Sequence, residues 1–291
     1  MPSGSRKLRR TALFVQFCAS AFPDVLEGSL LIPALAVGLD ALGDVRLLKG
    51  MLRRDGDGDV LRAVQRLILN RTHFPILNRR GLYFLKQYQM RSFVVALKNA
   101  PTLQGTYAGT EQGGLYFRSY EDLLIVGGGD HRTGKSGGGF DAVEAFVRRT
   151  WPQARITHRW AAQDCMSLDG LPYIGPYSPA TPGLFVATGF NEWGMTTSMV
   201  ASRILADAVT GRPNPFAAAF APQRGLARPQ LLVNLFETTL GLLWPTARRC
   251  THLGCALHWN PWEHTWDCAC HGSRYAPDGR LLDNPALHGR R

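Results

Sequence analysis

The sequence predicts an α+β fold, with a body of mixed sheet and helices followed by a small all-β module. Three observations carry this. Short β-rich runs crowd residues 72–127, and amphipathic helical runs follow them. A Pro- and Ala-rich stretch at 212–229 then breaks the pattern. Finally, four of the six cysteines fall between Cys250 and Cys270, which marks a local site rather than a disulfide framework.

With 291 residues, 45% of them hydrophobic and 19% charged, the chain is long enough for one large or two ordinary globular domains. The expected partition is an N-terminal segment of uncertain fold (1–71), the sheet-and-helix body (72–222), a linker and helix (223–245), and the C-terminal module (246–291). The net charge of +11 comes almost wholly from arginine, since only five residues are lysine. These arginines sit in scattered pairs such as Arg53-Arg54, Arg148-Arg149 and Arg248-Arg249, with no basic stripe. A diffuse footprint of this kind argues against nucleic acid as a partner. The apolar runs are too short or too interrupted to span a bilayer.

At the N-terminus, Arg6-Lys7-Leu8-Arg9-Arg10 precedes a mostly apolar run to Phe22, and Ala19-Ser20-Ala21 has the outline of a cleavage site. Gln16 interrupts the run. The expectation is a cytoplasmic protein, with export through this segment as the alternative. Residues 24–70 read as loosely helical from Leu47, Leu48, Met51 and Leu52, then Val60, Leu61, Val64, Leu67 and Ile68. Asp55-Gly56-Asp57-Gly58-Asp59 breaks the two runs. It is read as a turn, because Arg66 stands where a calcium loop needs glutamate.

Strands are expected over Arg80–Gln89, Arg91–Lys98, Gly114–Arg118, Asp122–Gly127 and Gly183–Thr188. A helix is expected over Asp141–Trp151, with Asp141 as N-cap and Glu144 completing a capping box. A second spans Thr197–Thr210, closed by Gly211 with Pro213 beyond. A third covers Leu231–Leu243.

The strongest signal is Cys250-Thr251-His252-Leu253-Gly254-Cys255, then twelve residues, then Cys268-Ala269-Cys270-His271-Gly272-Ser273. Two such boxes can clamp a metal centre, and Cys/His donors in this number suit zinc. They equally suit a 2Fe-2S cluster with two thiolates on one iron and two imidazoles on the other. The stretch resembles the Rieske family. That resemblance implies Cys250, His252, Cys268 and His271 as cluster ligands. It implies a disulfide between Cys255 and Cys270, hydroxyl donors Ser273 and Tyr275 to the cluster sulfurs, and a covering loop at Asp283-Asn284-Pro285-Ala286. It further implies a reduction potential in the upper half of the Rieske range of about −150 to +300 mV. One departure stands out: few residues precede the first box, so most of the family's β-base is missing and the module must lean on its neighbour.

Upstream, the expected strand Leu184–Thr188 runs into Gly189-Phe190-Asn191-Glu192-Trp193-Gly194-Met195-Thr196 and then a helix. A strand, a glycine loop and a helix N-terminus in succession can receive a ring with partial negative charge. Thr72-His73-Phe74-Pro75, Gly81-Leu82-Tyr83-Phe84 and Leu124-Ile125-Val126-Gly127-Gly128-Gly129-Asp130-His131 resemble the FAD-dependent glycine/D-amino-acid oxidase family, in the branch with a C-terminal Rieske module. The resemblance implies FAD contacts from Gly189, Asn191, Trp193, Gly194, Met195 and Thr196. It also implies an amine or amino-acid substrate, and electrons passing between FAD and the cluster. It covers residues 72–291. No G-x-G-x-x-G occurs in residues 1–71, so only the ring side of the FAD site is expected, and residues 1–70 read as foreign to the family. Tight FAD binding is then expected only with another segment completing the site.

Two further classes compete. One is a Rieske-type electron-transfer module without turnover of its own. The other is a P-loop NTPase, because Gly129-Asp130-His131-Arg132-Thr133-Gly134-Lys135-Ser136 fits the Walker pattern after a strand. Against it, three more glycines separate Lys135-Ser136 from the expected helix. Cys18 and Cys165 read as packed thiols, His258 and His264 as surface residues, and Trp259, Trp262 and Trp266 as packing over the cluster loops.

Overall fold

A computed structural model of the chain describes residues 68–70, 74–75, 81–109, 114–181 and 183–290. The signal-like segment, most of the helical reading at 24–70 and the Asp55–Asp59 turn lie outside them. The chain divides into two compact units: residues 1–81 with 171–225, and residues 82–170 with 226–291.

In the first unit, β1 (Ile68–Asn70) pairs in parallel with β8 (Leu184–Thr188), and β7 (Tyr173–Pro176) pairs antiparallel on the other side of β8. Ile68, expected in a helix, is therefore in a strand. The outcome is a tertiary one, because backbone pairing with β8 outweighs a local apolar spacing. Helix α3 (Gly194–Thr210) packs Ala201, Ile204 and Leu205 onto Ile174 and Ala187. It ends where expected, at Gly211, whose φ of 70° suits a residue without Cβ. A short helix, α4 (Ala217–Phe220), lies in the stretch expected to be linker.

The second unit is built on an antiparallel sheet of order β3-β4-β5-β2-β6, from β2 (Gln87–Lys98), β3 (Tyr107–Ala108), β4 (Tyr116–Tyr120), β5 (Leu123–Arg132) and β6 (Arg155–Ser167). Phe93, Val95 and Leu97 of β2 meet Leu124 and Val126 of β5, and Val143 and Val147 of helix α2 (Gly139–Thr150) cover them. The two strands expected on either side of Met90 are in fact one, preceded by a single helical turn, α1 (Tyr83–Lys86). Leu82 enters that turn at φ 55°, which ends the extended run expected from Arg80. Helix α2 begins at Gly139, before Asp141, and no side chain caps it. Asp141 instead accepts from Trp262 Nε1 at 3.2 Å, and Glu144 pairs with Arg159 at 2.6 Å.

The C-terminal residues fold as the expected small all-β module and fall within this same unit. Helix α5 (Pro229–Leu243) leads into a four-stranded antiparallel sheet, β9 (Leu257–Asn260), β10 (Thr265–Cys268), β11 (Arg274–Tyr275) and β12 (Leu281–Asp283). Its β9–β10 hairpin reaches the large sheet. Trp262 packs against Phe93 and His131, with ring centroids 5.7 Å from each, rather than over the cluster turns. Arg91 of β2 donates to both oxygens of Glu263, the Nε bond to Oε2 being 2.7 Å. Arg274 approaches the same carboxylate at 2.9 Å and also holds Asp267 and Asp283. Arg91 and Arg274 are 4% and 5% exposed, so these are largely desolvated charges whose partners must all be present.

Burial works against charging Glu263, but Arg91 and Arg274 outweigh it and hold the carboxyl below its ordinary 4.5. A carboxyl depressed in the folded state stabilises above its unfolded pKa, and that stability is lost as pH falls through the folded value. Denaturant midpoints measured between pH 6 and pH 3 are therefore expected to fall with acid. Glu263→Gln should flatten that fall while lowering stability at pH 6, since it strands two buried guanidinium groups. Phe93→Ala, which empties the centre of the core, is expected to cost about 3–5 kcal/mol in urea unfolding.

Candidate functional site: a cysteine–histidine centre

Each cysteine–histidine box is a tight turn closed by its own backbone. In the first, Cys250 N–H bonds to the Cys255 carbonyl (2.8 Å) and Gly254 N–H to the Cys250 carbonyl (3.0 Å). In the second, Gly272 N–H bonds to the Cys268 carbonyl (2.8 Å) and Cys268 N–H to the Ser273 carbonyl (2.9 Å). Gly254 and Gly272 take φ of 82° and 85°, which a residue with Cβ adopts only under strain. Each turn carries two cysteines and one histidine. The His252 and His271 rings stand perpendicular with centroids 4.9 Å apart.

Protonation favours ligand chemistry at the imidazole. Burial first, then the nearby Arg132, bring His271 down to about 3, so the ring stays neutral. The Cys250 thiol is pushed up by its hydrogen bond with Cys268 and by burial, so seating a metal there displaces protons. Tyr275 Oη lies 3.4 Å from Cys250 Sγ and accepts from Thr251 N–H at 3.1 Å. Ser273 Oγ accepts from Ala286 N–H at 2.9 Å, which leaves its own proton to donate and ties the buried Pro285 loop to the second turn. The two expected imidazoles thus meet each other, Tyr275 reaches Cys250, and Ser273 is tied to the Pro285 loop.

The disulfide expectation needs correction. Cys255 and Cys270 are free thiols in this structure. The sulfurs of Cys255, Cys268 and Cys270 lie within 4.8 Å of one another, and Cys255 hydrogen-bonds to both neighbours instead of bonding covalently to one. Helix α5 closes over them. A Cβ at Gly241 would lie 2.4 Å from Cys270 Sγ, and Gly241 accepts from Ala256 N–H at 2.7 Å.

The large sheet replaces the missing base. Arg132 Nε donates to the Ala269 carbonyl at 2.9 Å, Gln163 Nε2 to the Gly272 carbonyl at 2.9 Å, and Thr133 Oγ1 to Gln163 at 3.0 Å. A Cβ at Gly134 would lie 2.5 Å from Ala269 N, and one at Gly272 would lie 2.1 Å from Gln89 Cγ. These contacts overturn the P-loop reading. Residues 129–132 are strand, Lys135 is paired with Glu237 at 2.7 Å, and the helix starts only at Gly139. Arg132, Gly134, Gln163 and Gln89 were missed as site residues. The Walker-like match was the visible signal for two of them, read for the wrong chemistry.

In the first unit, the loop after β8 carries φ of 71° at Gly189, 50° at Asn191 and 68° at Glu192. Asn191 turns its amide back on the Gly189 carbonyl at 2.7 Å and so stiffens the loop. Helix α3 starts at Gly194 with no side-chain cap, which leaves its first N–H groups for an incoming acceptor. A Cβ at Gly194 would meet nothing, and Trp193, Met195 and Thr196 are exposed around it. An open backbone edge of this kind suits a flat ring. Cys165 is a packed thiol as expected, His264 is exposed and His258 half-buried.

Comparison with known proteins supplies the family. Residues 19–208 match FAD dependent oxidoreductases, and residues 228–289 match the Rieske [2Fe-2S] domain. The chain belongs to the FAD-dependent oxidoreductase family and carries a Rieske domain. The match begins at residue 19, so the expectation that family sequence starts at Thr72 was too late. The Rieske match begins at 228, so α5 is part of that domain rather than linker. YhfW of Bacillus subtilis, named for a Rieske 2Fe-2S centre, is 31% identical over 274 residues, covering 76% of this chain and 53% of its own. The chain thus spans about half the length of that relative. The cytochrome b6-f complex iron-sulfur subunit 3 of a Nostoc species is 60% identical over 37 residues, covering 13% of this chain and 21% of its own. Among solved structures, glycine oxidase from Geobacillus kaustophilus is similar at 26% identity and a TM-score of 0.44, over 52% of this chain and 43% of its own. Among the described residues no helix is long and apolar enough to cross a membrane.

Gly272→Ala is expected to abolish the centre, since the new methyl meets Gln89 and the φ is forbidding. Iron and sulfide content should fall to background, while far-ultraviolet circular dichroism stays close to wild type.

Proposed function

We propose that this chain serves a flavoprotein oxidoreductase in which oxidation of an amine or amino acid is coupled to one-electron transfer. Cys250 and Cys268 hold one iron of a 2Fe-2S cluster, and His252 and His271 hold the other. The observation that carries this is the meeting of the His252 and His271 rings across two turns that each also hold two buried cysteines, in a chain that matches both families. When bound, FAD supplies two-electron oxidation of the substrate C–N bond and the cluster supplies one-electron transfer.

The protein's own part is positional and electrostatic. The thiols of Cys250 and Cys268 give up their protons on ligation, and His271 is already neutral. Tyr275 and Ser273 place hydroxyl groups beside the two turns, where a hydroxyl that donates to a cluster sulfur would favour the reduced state. Gly189 to Thr196 offer backbone N–H groups and the positive end of α3 to the edge of the flavin ring, where reduction places negative charge. Trp193 and Met195, exposed beside the loop, would be available to pack on the ring.

The test is composition and spectrum of the full chain, purified without oxygen. About two irons and two labile sulfides per chain are expected, with a Rieske-type electron paramagnetic resonance signal on reduction. One zinc and no sulfide would end the assignment. His252→Cys should keep iron but lower the midpoint potential, because a thiolate adds negative charge to the centre. Titration with FAD, followed by flavin fluorescence, should show binding that Gly194→Trp weakens at least tenfold.

A further inference from the structure

Arg132 ends strand β5 and extends out of the sheet to the second cluster turn. Its Nε donates to the Ala269 carbonyl at 2.9 Å and its Nη2 to the Cys270 carbonyl at 3.3 Å. Those carbonyls belong to the two residues between Cys268 and His271. Its third nitrogen, Nη1, donates to Asn234 Oδ1 at 3.0 Å. Asn234 is 2% exposed on α5 and its own amide donates to the Leu85 carbonyl at 3.2 Å, so the acceptor is itself fixed. The guanidinium lies 5.1 Å from the centre of the Tyr88 ring. Every nitrogen of the fork is therefore committed to one geometry. Among the described residues no carboxylate forms an ion pair with Arg132, and the nearby Glu237 is paired with Lys135. A fixed and partly buried positive charge stands behind one cysteine and one histidine of the centre.

We propose that Arg132 sets the reduction potential of the centre from outside the Rieske domain, by placing a fixed positive charge behind the Cys268–His271 turn. The inference rests on the cluster assignment above. Reduction adds one negative charge to a site screened from water, and a fixed positive charge there stabilises the product more than the reactant. Its two bonds to carbonyls direct the negative ends of those dipoles at the guanidinium. Arg132 is thus a positioning and tuning residue. It does not ligate, and it comes from the sheet that the Rieske domain uses as its base. The same arrangement makes potential depend on docking, because a second turn that left the sheet would lose the charge.

The experiment measures midpoint potential on the full chain, reconstituted with iron and sulfide, beside its electron paramagnetic resonance spectrum. Arg132→Gln is expected to shift the equilibrium with a reference couple about tenfold toward the oxidised centre, ~59 mV for one electron, with an unchanged spectrum. Arg132→Lys keeps the charge and is expected to stay within about threefold of wild type. Glu237→Gln removes a negative charge beside Arg132 without touching its hydrogen bonds, and is expected to shift the equilibrium the other way. A loaded Arg132→Gln with wild-type potential overturns the inference and leaves the cluster assignment standing. So does an Arg132→Lys as low as Arg132→Gln. If Arg132→Gln fails to load, Glu237→Gln decides, and an unchanged or lowered potential there overturns the inference. A wild-type chain without iron and sulfide overturns both.

Discussion

Arg91 and Glu263 form a buried fork between the large sheet and the β9–β10 hairpin, with Arg274 behind it on the same carboxylate. A small four-stranded sheet has too little apolar interior to hold two metal-binding turns in register. The fork supplies a fixed point instead. From it the hairpin is set, Trp262 fills the end of the Phe93 core, and the second turn lies along β2 and β5. Buried ion pairs are weak contributors to net stability but strong constraints on geometry, because any arrangement that separates them leaves bare charge in the interior.

The two turns use the same economy of parts. Each cysteine–histidine pair is presented by a turn that satisfies its own backbone. The large sheet and α5 then exclude bulk from the places where a side chain would intrude, at Gly134, Gly241 and Gly272. The flavin-side loop is built differently. It leaves helix N–H groups and a glycine open rather than enclosed, which suits a ligand that arrives with its own surface area. One site grips through donors and the other through access.

The two cysteine–histidine boxes were legible in the chain from their spacing, as was the presence of a Rieske domain. The helices α3 and α5 were also legible, and β2 and β5 in part, the first as two runs broken at Met90 and the second as a run ended at Gly127. The hidden parts are those decided by partners remote in sequence. Strand β6 is half-exposed and mixed in character, so Arg155 to Ser167 carry little local signal, although they flank the whole of β2. Asp141 has the chemistry of a cap, but the chain turned earlier and left it for Trp262. Gly129 to Ser136 satisfy a phosphate-loop pattern by composition, yet β-pairing carries Arg132 to the end of a strand. The Cys255–Cys270 bond was inferred from likeness alone, and the shared sulfur pocket accommodates both thiols unbonded.

Gln89 and Gly272 meet so closely that the space of a single methyl group separates fit from collision. One residue belongs to the oxidoreductase-type sheet and the other to the Rieske turn, more than a hundred and eighty positions along the chain. Neither surface can drift alone. A change of volume at either position is therefore felt by both surfaces at once.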